Sequence, residues 1–304
     1  MKKDLLTFAD WSKAELLSLL KLAQQTKQSP ADYRKALDGK AVAALFEKPS
    51  LRTRVSFDIG INKLGGHMVY LDSQAGKLAG REDARDMGAN LACWADAIVA
   101  RVYSHNTLVQ MAEAAKVPVI NALCDLYHPC QALADFLTVQ EVLGDVSQCR
   151  LAYIGDGNNV SNSLLLMGAI LGADIRVITP KGHEVKGQIL DQAHSLAQQS
   201  GAKIVASTDL DAAKGCQFLY TDTWLSMGDT TPLAEIKDKF QPFQLNRQLM
   251  DRCGADYAMH CQPAHRELEI TSELIDGECS LLLQQAENRM HAQNAILISL
   301  LTAH

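Results

Sequence analysis

The sequence predicts an α/β protein made of two doubly wound domains, each with a parallel sheet. Three observations lead there. Short apolar runs recur along the chain with helix-length segments between them, which is the alternation of βαβ units. The alternation breaks once, at a long helical stretch closed by Gly144, and then starts afresh. The length of 304 residues exceeds what one compact core usually organises.

Taken in order, residues 11–20 read as an amphipathic helix. The first strand is AVAALFE (41–47), and the helix after it runs from Arg52 to Leu64, closed by Gly65 and Gly66. Strands follow at 67–71, 97–102 and 117–123. The helix Pro129–Leu143 leads to the second set, with strands at 150–155, 174–180, 202–207, 216–222 and 256–261. The interval 229–250 is polar and irregular, and 286–302 is an apolar helix expected to pack back on the first half. The expected domains are 1–144, completed by 286–304, and 145–285. They are joined by the helices near Pro129–Leu143 and the C-terminus. Ligands of such sheets gather at the carboxyl ends of the strands, so motifs there carry most weight.

Composition narrows the function. Charged residues make up 21% and the net charge is −6, which disfavours a broad nucleic-acid surface. Asp4 and Asp10 break the apolar core a signal peptide needs, and no apolar run reaches membrane-spanning length. The eight cysteines stand singly without a CxxC pair, so a reducing compartment, the cytoplasm, is expected and a zinc knuckle is not.

The first chemical motif is Pro49-Ser50-Leu51-Arg52-Thr53-Arg54, directly after the first strand. Ser50 is an N-cap, and a helix N-terminus with free N–H groups and nearby hydroxyls suits a phosphate. Arg52 and Arg54, two apart, point to different faces, and Arg52 is the candidate ligand. The bland reading is a capped helix with exposed arginines. Arg101 sits inside the apolar strand 97–102, where a charge needs a ligand or a structural partner such as Glu47. His128 and Gln131 open the next helix and share a face. His128 is either a cap or a hydrogen-bond donor to a polarised carbonyl.

In the second half, Gly155-Asp156-Gly157-Asn158-Asn159-Val160 lies between a strand and a helix. It lacks the third glycine of a dinucleotide fingerprint, and no acidic residue ends the following strand, so NAD binding is disfavoured. The asparagines suit a polar substrate instead. Asp222, in DTWLSMG, ends a strand and can pair with an ammonium group or form a turn. His260-Cys261-Gln262-Pro263 ends another. A thiol nucleophile or a metal pair is conceivable there, but adjacent strand residues face opposite ways, so His260 is a poor base for Cys261.

Together these stretches resemble the aspartate/ornithine carbamoyltransferase family over essentially the whole chain. FEKPSLRTRVSFD (46–58) is similar to its S-T-R-T-R phosphate motif, while Arg101, HPCQ (128–131) and Arg289 in AENRMHAQ (286–293) match its later contacts, in the same order. The resemblance implies carbamoyl transfer from carbamoyl phosphate to the side-chain amine of ornithine, giving citrulline, without cofactor or metal. Ser50, Leu51, Arg52, Thr53, Lys77, Arg101, His128, Gln131, Cys261, Gln262 and Arg289 would hold carbamoyl phosphate. Asn159, Asp222, Ser226 and Met227 would grip ornithine, with Asp222 and Cys261 orienting its amine. Arg101, His128, Asp222 and Cys261 would carry catalysis.

Leu51 stands where the family has Thr, leaving the backbone N–H as its contact, and Gln262 where it has Leu, acting through its carbonyl. Lys77 falls where relatives have Gln or His donated by a neighbouring subunit. The resemblance thus implies a homotrimer with shared sites, and the polar segment 73–85 reads as the donated loop. Sibling transferases for acetylornithine, succinylornithine or putrescine are the nearest rivals. The SMG loop and the lack of a proline-rich loop after Asp222 speak against the acylated substrates. A nucleotide-binding oxidoreductase and a catalytically dead binding subunit are the more distant ones.

Overall fold

The computed structural model describes residues 3–72, 82–225 and 231–302. The chain divides into two compact units, Met1–Leu137 with Asn288–His304, and Thr138–Glu287. Both changes of unit fall inside helices, whereas the sequence marks only where helices end, at Gly144 for example.

In the first unit, α1 (Lys13–Gln28) starts at Ser12, which forms a capping box with Glu15 and satisfies donors that a bare helix end would leave open. Its buried stripe includes Leu16, Leu19, Leu20 and Ala23, the spacing of one helix face. Then come β1 (Ala41–Phe46), α2 (Leu51–Lys63), β2 (His67–Leu71), α3 (Ala84–Leu91), β3 (Ala97–Arg101), α4 (His105–Ala114) and β4 (Val119–Leu123). α5 (Pro129–Leu143) follows and runs on into the second unit.

The strands pair in parallel in the order β2-β1-β3-β4. After β1 the chain builds outward to β2, then crosses back to lay β3 on the other side of β1. The switch point therefore lies between the carboxyl ends of β1 and β3, where Phe46 is opposite Arg101. β3 and β4 are buried along their length, and their mainly apolar runs, interrupted by Arg101 and Asn121, fit strands of a parallel sheet covered on both faces.

The second unit holds β5 (Arg150–Ile154), α6 (Asn159–Leu171), β6 (Asp174–Ile178), α7 (Gly187–Ser200), β7 (Lys203–Ser207), β8 (Phe218–Thr221), α8 (Leu233–Phe240), α9 (Arg247–Cys253), β9 (Tyr257–His260) and α10 (Ser272–Asp276). Its parallel order is β7-β6-β5-β8-β9, with the switch point between β5 and β8. α6 is buried from Val160 to Leu171, which explains why it is apolar all round. The last helix, α11 (Leu282–Thr302), begins in this unit and returns to the first. There it lies against α2 at Gly60, where an added Cβ would collide with Asn294 Oδ1 and stand 3.2 Å from Met290 Cγ. Close backbone approach at one glycine thus seats the end of the chain on the phosphate-motif helix.

The structure departs from the sequence reading in two intervals. Residues 229–250, read as irregular, contain α8 and the start of α9. These helices are short, and much of α8 is exposed and charged; Ile236 and Phe240, four apart on one face, bury against Trp224. At the end of the segment 73–85, Asp83 caps α3, and Arg85 lies within that helix in an ion pair with Glu113 at 2.6 Å.

Candidate active site

The carboxyl ends of β1, β3 and β4 bring one group of side chains together. Ser50, extended at φ −156° and ψ 113°, caps α2: its Oγ accepts from Thr53 N at 3.3 Å and donates to Thr53 Oγ1 at 3.0 Å. Leu51 is exposed, Arg52 is exposed, and Thr53 is buried. Arg54 turns aside, its guanidinium 3.9 Å over the Tyr70 ring, so the two arginines do diverge.

Arg101 and Arg289 meet at Thr53. Arg101 Nη1 reaches Thr53 Oγ1 at 3.5 Å and Arg289 Nη2 reaches the same oxygen at 3.2 Å. Arg289 also donates from Nη1 to Gln131 Oε1 and from Nη2 to His128 Nε2 at 3.1 Å. All five of these residues are buried. Gln131 is fixed from behind by its own amide, which donates to the buried Asp135 Oδ1 at 2.8 Å.

The electrostatics follow from this crowding. Burial first, then Arg289 and Arg52, draws the Arg101 pKa down to about 10. Burial, then Arg289, then Arg101, holds His128 well below the ordinary imidazole value. His128 is therefore neutral, and because a guanidinium only donates, its Nε2 accepts and its proton sits on Nδ1. Glu47, the structural partner considered for Arg101, uses its carboxylate on Tyr103 N at 2.8 Å. A cluster of cations at a helix N-terminus, with a neutral imidazole beside it, is built to take up an anion.

The second unit assembles a different group at its own switch point. Asn158 caps α6, accepting from Val160 N at 2.9 Å and Ser161 N at 3.3 Å, and donates through Nδ2 to Asp222 Oδ2 at 2.9 Å. Asp222 Oδ1 accepts from Thr223 N at 2.7 Å and from Cys261 Sγ at 2.9 Å. Asn159 is the first residue of α6, and its carbonyl accepts from Ser163 Oγ at 3.0 Å. The asparagine bonded to Asp222 is thus Asn158, which sequence reading placed in the motif without singling it out. Tyr153, fully buried nearby, has its phenol pushed far up by burial and then by Asp222 and Cys261.

His260 does not serve Cys261. Its Nδ1 accepts from Gln262 N at 2.8 Å, and its Nε2 lies 3.2 Å from Glu269 Oε1. The donor atoms of Asp222, His260 and Cys261 lie within 4.8 Å of one another, a spacing open to a metal. Both imidazole nitrogens are nevertheless occupied, so coordination would break a backbone hydrogen bond or a buried carboxylate contact. The glycines of GDGNNV also have a local use. An added Cβ on Gly157 would stand 2.6 Å from Val185 N, so its smallness serves packing against 183–185.

Lys77, Ser226 and Met227 lie outside the described residues. Lys48, Asp135 and Asn158 are polar residues of these clusters that sequence reading did not single out. Lys48 is buried, with Nζ 4.2 Å over the Tyr103 ring, and burial and then Arg101 lower its pKa.

Comparison with known proteins agrees with both halves. Residues 3–141 match the aspartate/ornithine carbamoyltransferase carbamoyl-P binding domain, and residues 147–300 match the Asp/Orn binding domain of the same family. The chain is 60% identical over 298 residues to an ornithine carbamoyltransferase of Shewanella oneidensis, covering 98% of this chain and 99% of that protein. It is 57% identical over 299 residues to one from Vibrio sp., covering 98% and 99%. Among solved structures it superposes on ornithine carbamoyltransferase from Pyrococcus furiosus with a TM-score of 0.93 at 41% identity, covering 98% of this chain and 96% of that one. The chain belongs to the aspartate/ornithine carbamoyltransferase family.

Proposed function

We propose that the chain transfers the carbamoyl group of carbamoyl phosphate to the side-chain amine of L-ornithine, giving L-citrulline and phosphate. The observation that carries this reading is the convergence of Arg101 and Arg289 on Thr53 at the N-terminus of α2. That buried excess of positive charge suits the phosphate of one substrate. The Asp222–Cys261–Asn158 group suits the amine of the other, and relatives at high identity carry the ornithine enzyme's name.

The chemistry needs a neutral amine, a polarised carbonyl and a stabilised leaving group. Arg52, Thr53, Ser50, the Leu51 N–H and Arg289 hold the phosphate. Arg101, Thr53 and His128 support the oxyanion that develops on the carbonyl. Gln131 and the carbonyls of Cys261 and Gln262 take the carbamoyl NH2. Asp222 and Cys261 orient the amine, while Asn159, Ser226 and Met227 take ornithine's amino-acid end. A C–N bond forms, the C–O bond to phosphate breaks, and the amine's proton leaves with the phosphate.

The assembly proposed is a homotrimer completed by Lys77 of a neighbouring copy. Supporting it, α2 exposes Leu51, Val55 and Ile59, one turn apart, at 75%, 43% and 47%. The eight free cysteines fit the cytoplasm as the working compartment. No helix among the described residues is long and apolar enough to cross a membrane.

The deciding assay offers carbamoyl phosphate with ornithine, putrescine, N-acetylornithine and aspartate side by side. Citrulline from ornithine is expected to dominate. Carbamoylaspartate or an acylated product at a comparable rate overturns the substrate assignment.

A further inference from the structure

The segment after β9 is bent at a residue that resists bending. Gln262 has φ 58°, in the left-handed region that non-glycine residues seldom occupy, so something outside the residue must hold it there. The holder is His260. Its ring is fully buried, its backbone N–H donates to Gln285 Oε1 at 2.9 Å, and its Nδ1 accepts the Gln262 N–H at 2.8 Å.

A neutral imidazole has one acceptor nitrogen. With Nδ1 used by Gln262, the proton belongs on Nε2, and there Glu269 Oε1 waits at 3.2 Å. Glu269 is itself fully buried, and its carboxylate is fixed by the N–H of His265 and by His265 Nδ1 at 3.4 Å from Oε2. The chain of cause therefore runs inward to outward. The carboxylate selects the tautomer, the tautomer supplies the acceptor, and the acceptor fixes the backbone at Gln262. The bend decides where the Cys261 and Gln262 carbonyls point, and Cys261 Sγ is left to bond Asp222 at 2.9 Å.

We infer that His260 is a positioning residue for carbamoyl transfer, with Glu269 as the selector of its tautomer: together they present the Cys261 and Gln262 carbonyls to the carbamoyl NH2. This rests on the function proposed above. It differs from a plain core pair in one respect, because only the Nδ1 half of the ring is asked to serve turnover.

Two near-isosteric substitutions divide the ring. His260→Asn sets an amide oxygen near the Nδ1 position and keeps the Gln262 acceptor while losing the donor to Glu269. His260→Gln keeps a donor towards Glu269 and loses the acceptor. His260→Gln is expected to lower kcat by about 100-fold, the scale of a misplaced catalytic contact, with the ornithine KM within about threefold. His260→Asn is expected to melt earlier yet keep kcat within about fivefold below its midpoint. Equal losses of kcat in the two variants, no loss in either, or the reverse order overturns the proposal.

If either variant fails to fold, nitrogen-15 histidine NMR of the intact protein tests the same chain of cause. The expected spectrum has a protonated Nε2 and an unprotonated Nδ1 at His260, and the opposite tautomer overturns it. That spectrum does not depend on the substrate. Wild-type protein inactive with ornithine would sink the functional reading while the tautomer result stood.

Discussion

Arg289→Met removes the cation that α11 brings to the phosphate-motif helix while keeping an unbranched apolar stem. In the wild-type protein Arg289 is only 7% exposed, and its guanidinium serves Gln131, His128 at 3.1 Å and Thr53 at 3.2 Å. Truncating one partner of a buried, hydrogen-bonded charge pair costs about 2–5 kcal/mol. At 1.4 kcal/mol per tenfold, the carbamoyl phosphate dissociation constant should rise about 30-fold to about 4000-fold. The free protein should suffer less. Gln131 Oε1, Thr53 Oγ1 and His128 Nε2 lose a donor, but Arg101 loses a repelling neighbour, the charge that after burial does most to lower its pKa. His128 loses the same neighbour, so its own titration should move up.

Calorimetric titration with carbamoyl phosphate reads the affinity, and steady-state citrulline formation separates the two substrates' KM values. Affinity for carbamoyl phosphate within about threefold of wild type would refute the placing of the phosphate at this cluster. Arg289→Lys is the companion variant. It restores the charge but not the fork that serves three acceptors at once, so recovery should be partial.

Further outcomes follow from the same geometry. Asp222→Asn should lower kcat/KM for ornithine by at least about tenfold while carbamoyl phosphate binding changes little; Cys261→Ser keeps a donor to Asp222 Oδ1 and should lose less than Cys261→Ala. An equal fall in affinity for both substrates would refute that division of roles. The folded-state pKa of His128 is depressed, so the unfolded chain takes up its proton first; stability should fall as pH drops below about 6.5, by about 1.4 kcal/mol per pH unit until the folded pKa is reached. His128→Asn should flatten that slope in thermal melts at pH 5.5–7.5, and parallel slopes would contradict it. In a shared-site trimer, inactive Arg52→Ala chains reassociated with chains carrying both Lys77→Ala and Arg81→Ala should regain activity, whereas sites confined to one chain would leave the mixture inactive.

The fold was legible because each strand is nearly uniform in character. Ala41–Phe46 is apolar end to end, and Ala97–Arg101 and Val119–Leu123 are apolar but for Arg101 and Asn121; burial on both faces of a parallel sheet selects such runs. The helix 129–143 was equally plain, since Pro opens it and Gly144 at φ 78° closes it. α8 was not: four of its eight residues are charged, so a short segment with a helical apolar spacing reads as polar until Ile236 and Phe240 are seen against Trp224. A run of eight residues gives periodicity too few turns to outweigh so polar a composition.

The two clusters were legible only in part, and the missing part has a common cause. Residues that touch a ligand are of types that announce chemistry, such as Arg52, Arg101, His128 and Asp222. Residues that hold those in place look like ordinary cap or core polar groups until their bonds are seen. Asn158 reads with Asn159 as suited to a polar substrate, whereas in the fold it caps α6 and its amide fixes Asp222 Oδ2. Asp135 sits one helical turn after Gln131, a spacing visible in the sequence, yet nothing there says that it is buried or that it turns Gln131 Oε1 towards Arg289. Strand alternation makes His260 a poor base for Cys261, but Cys261 lies past the end of β9, and it is the bonds already made by both ring nitrogens that keep His260 from that role. Its partners, Gln262 two residues on and Glu269 nine residues on, became visible only with the bend at Gln262. A side chain's chemical type is a local property and survives in the sequence, whereas its orientation is set by tertiary hydrogen bonds. Substrate class was therefore readable from residues, while the tautomers of His128 and His260 required the fold.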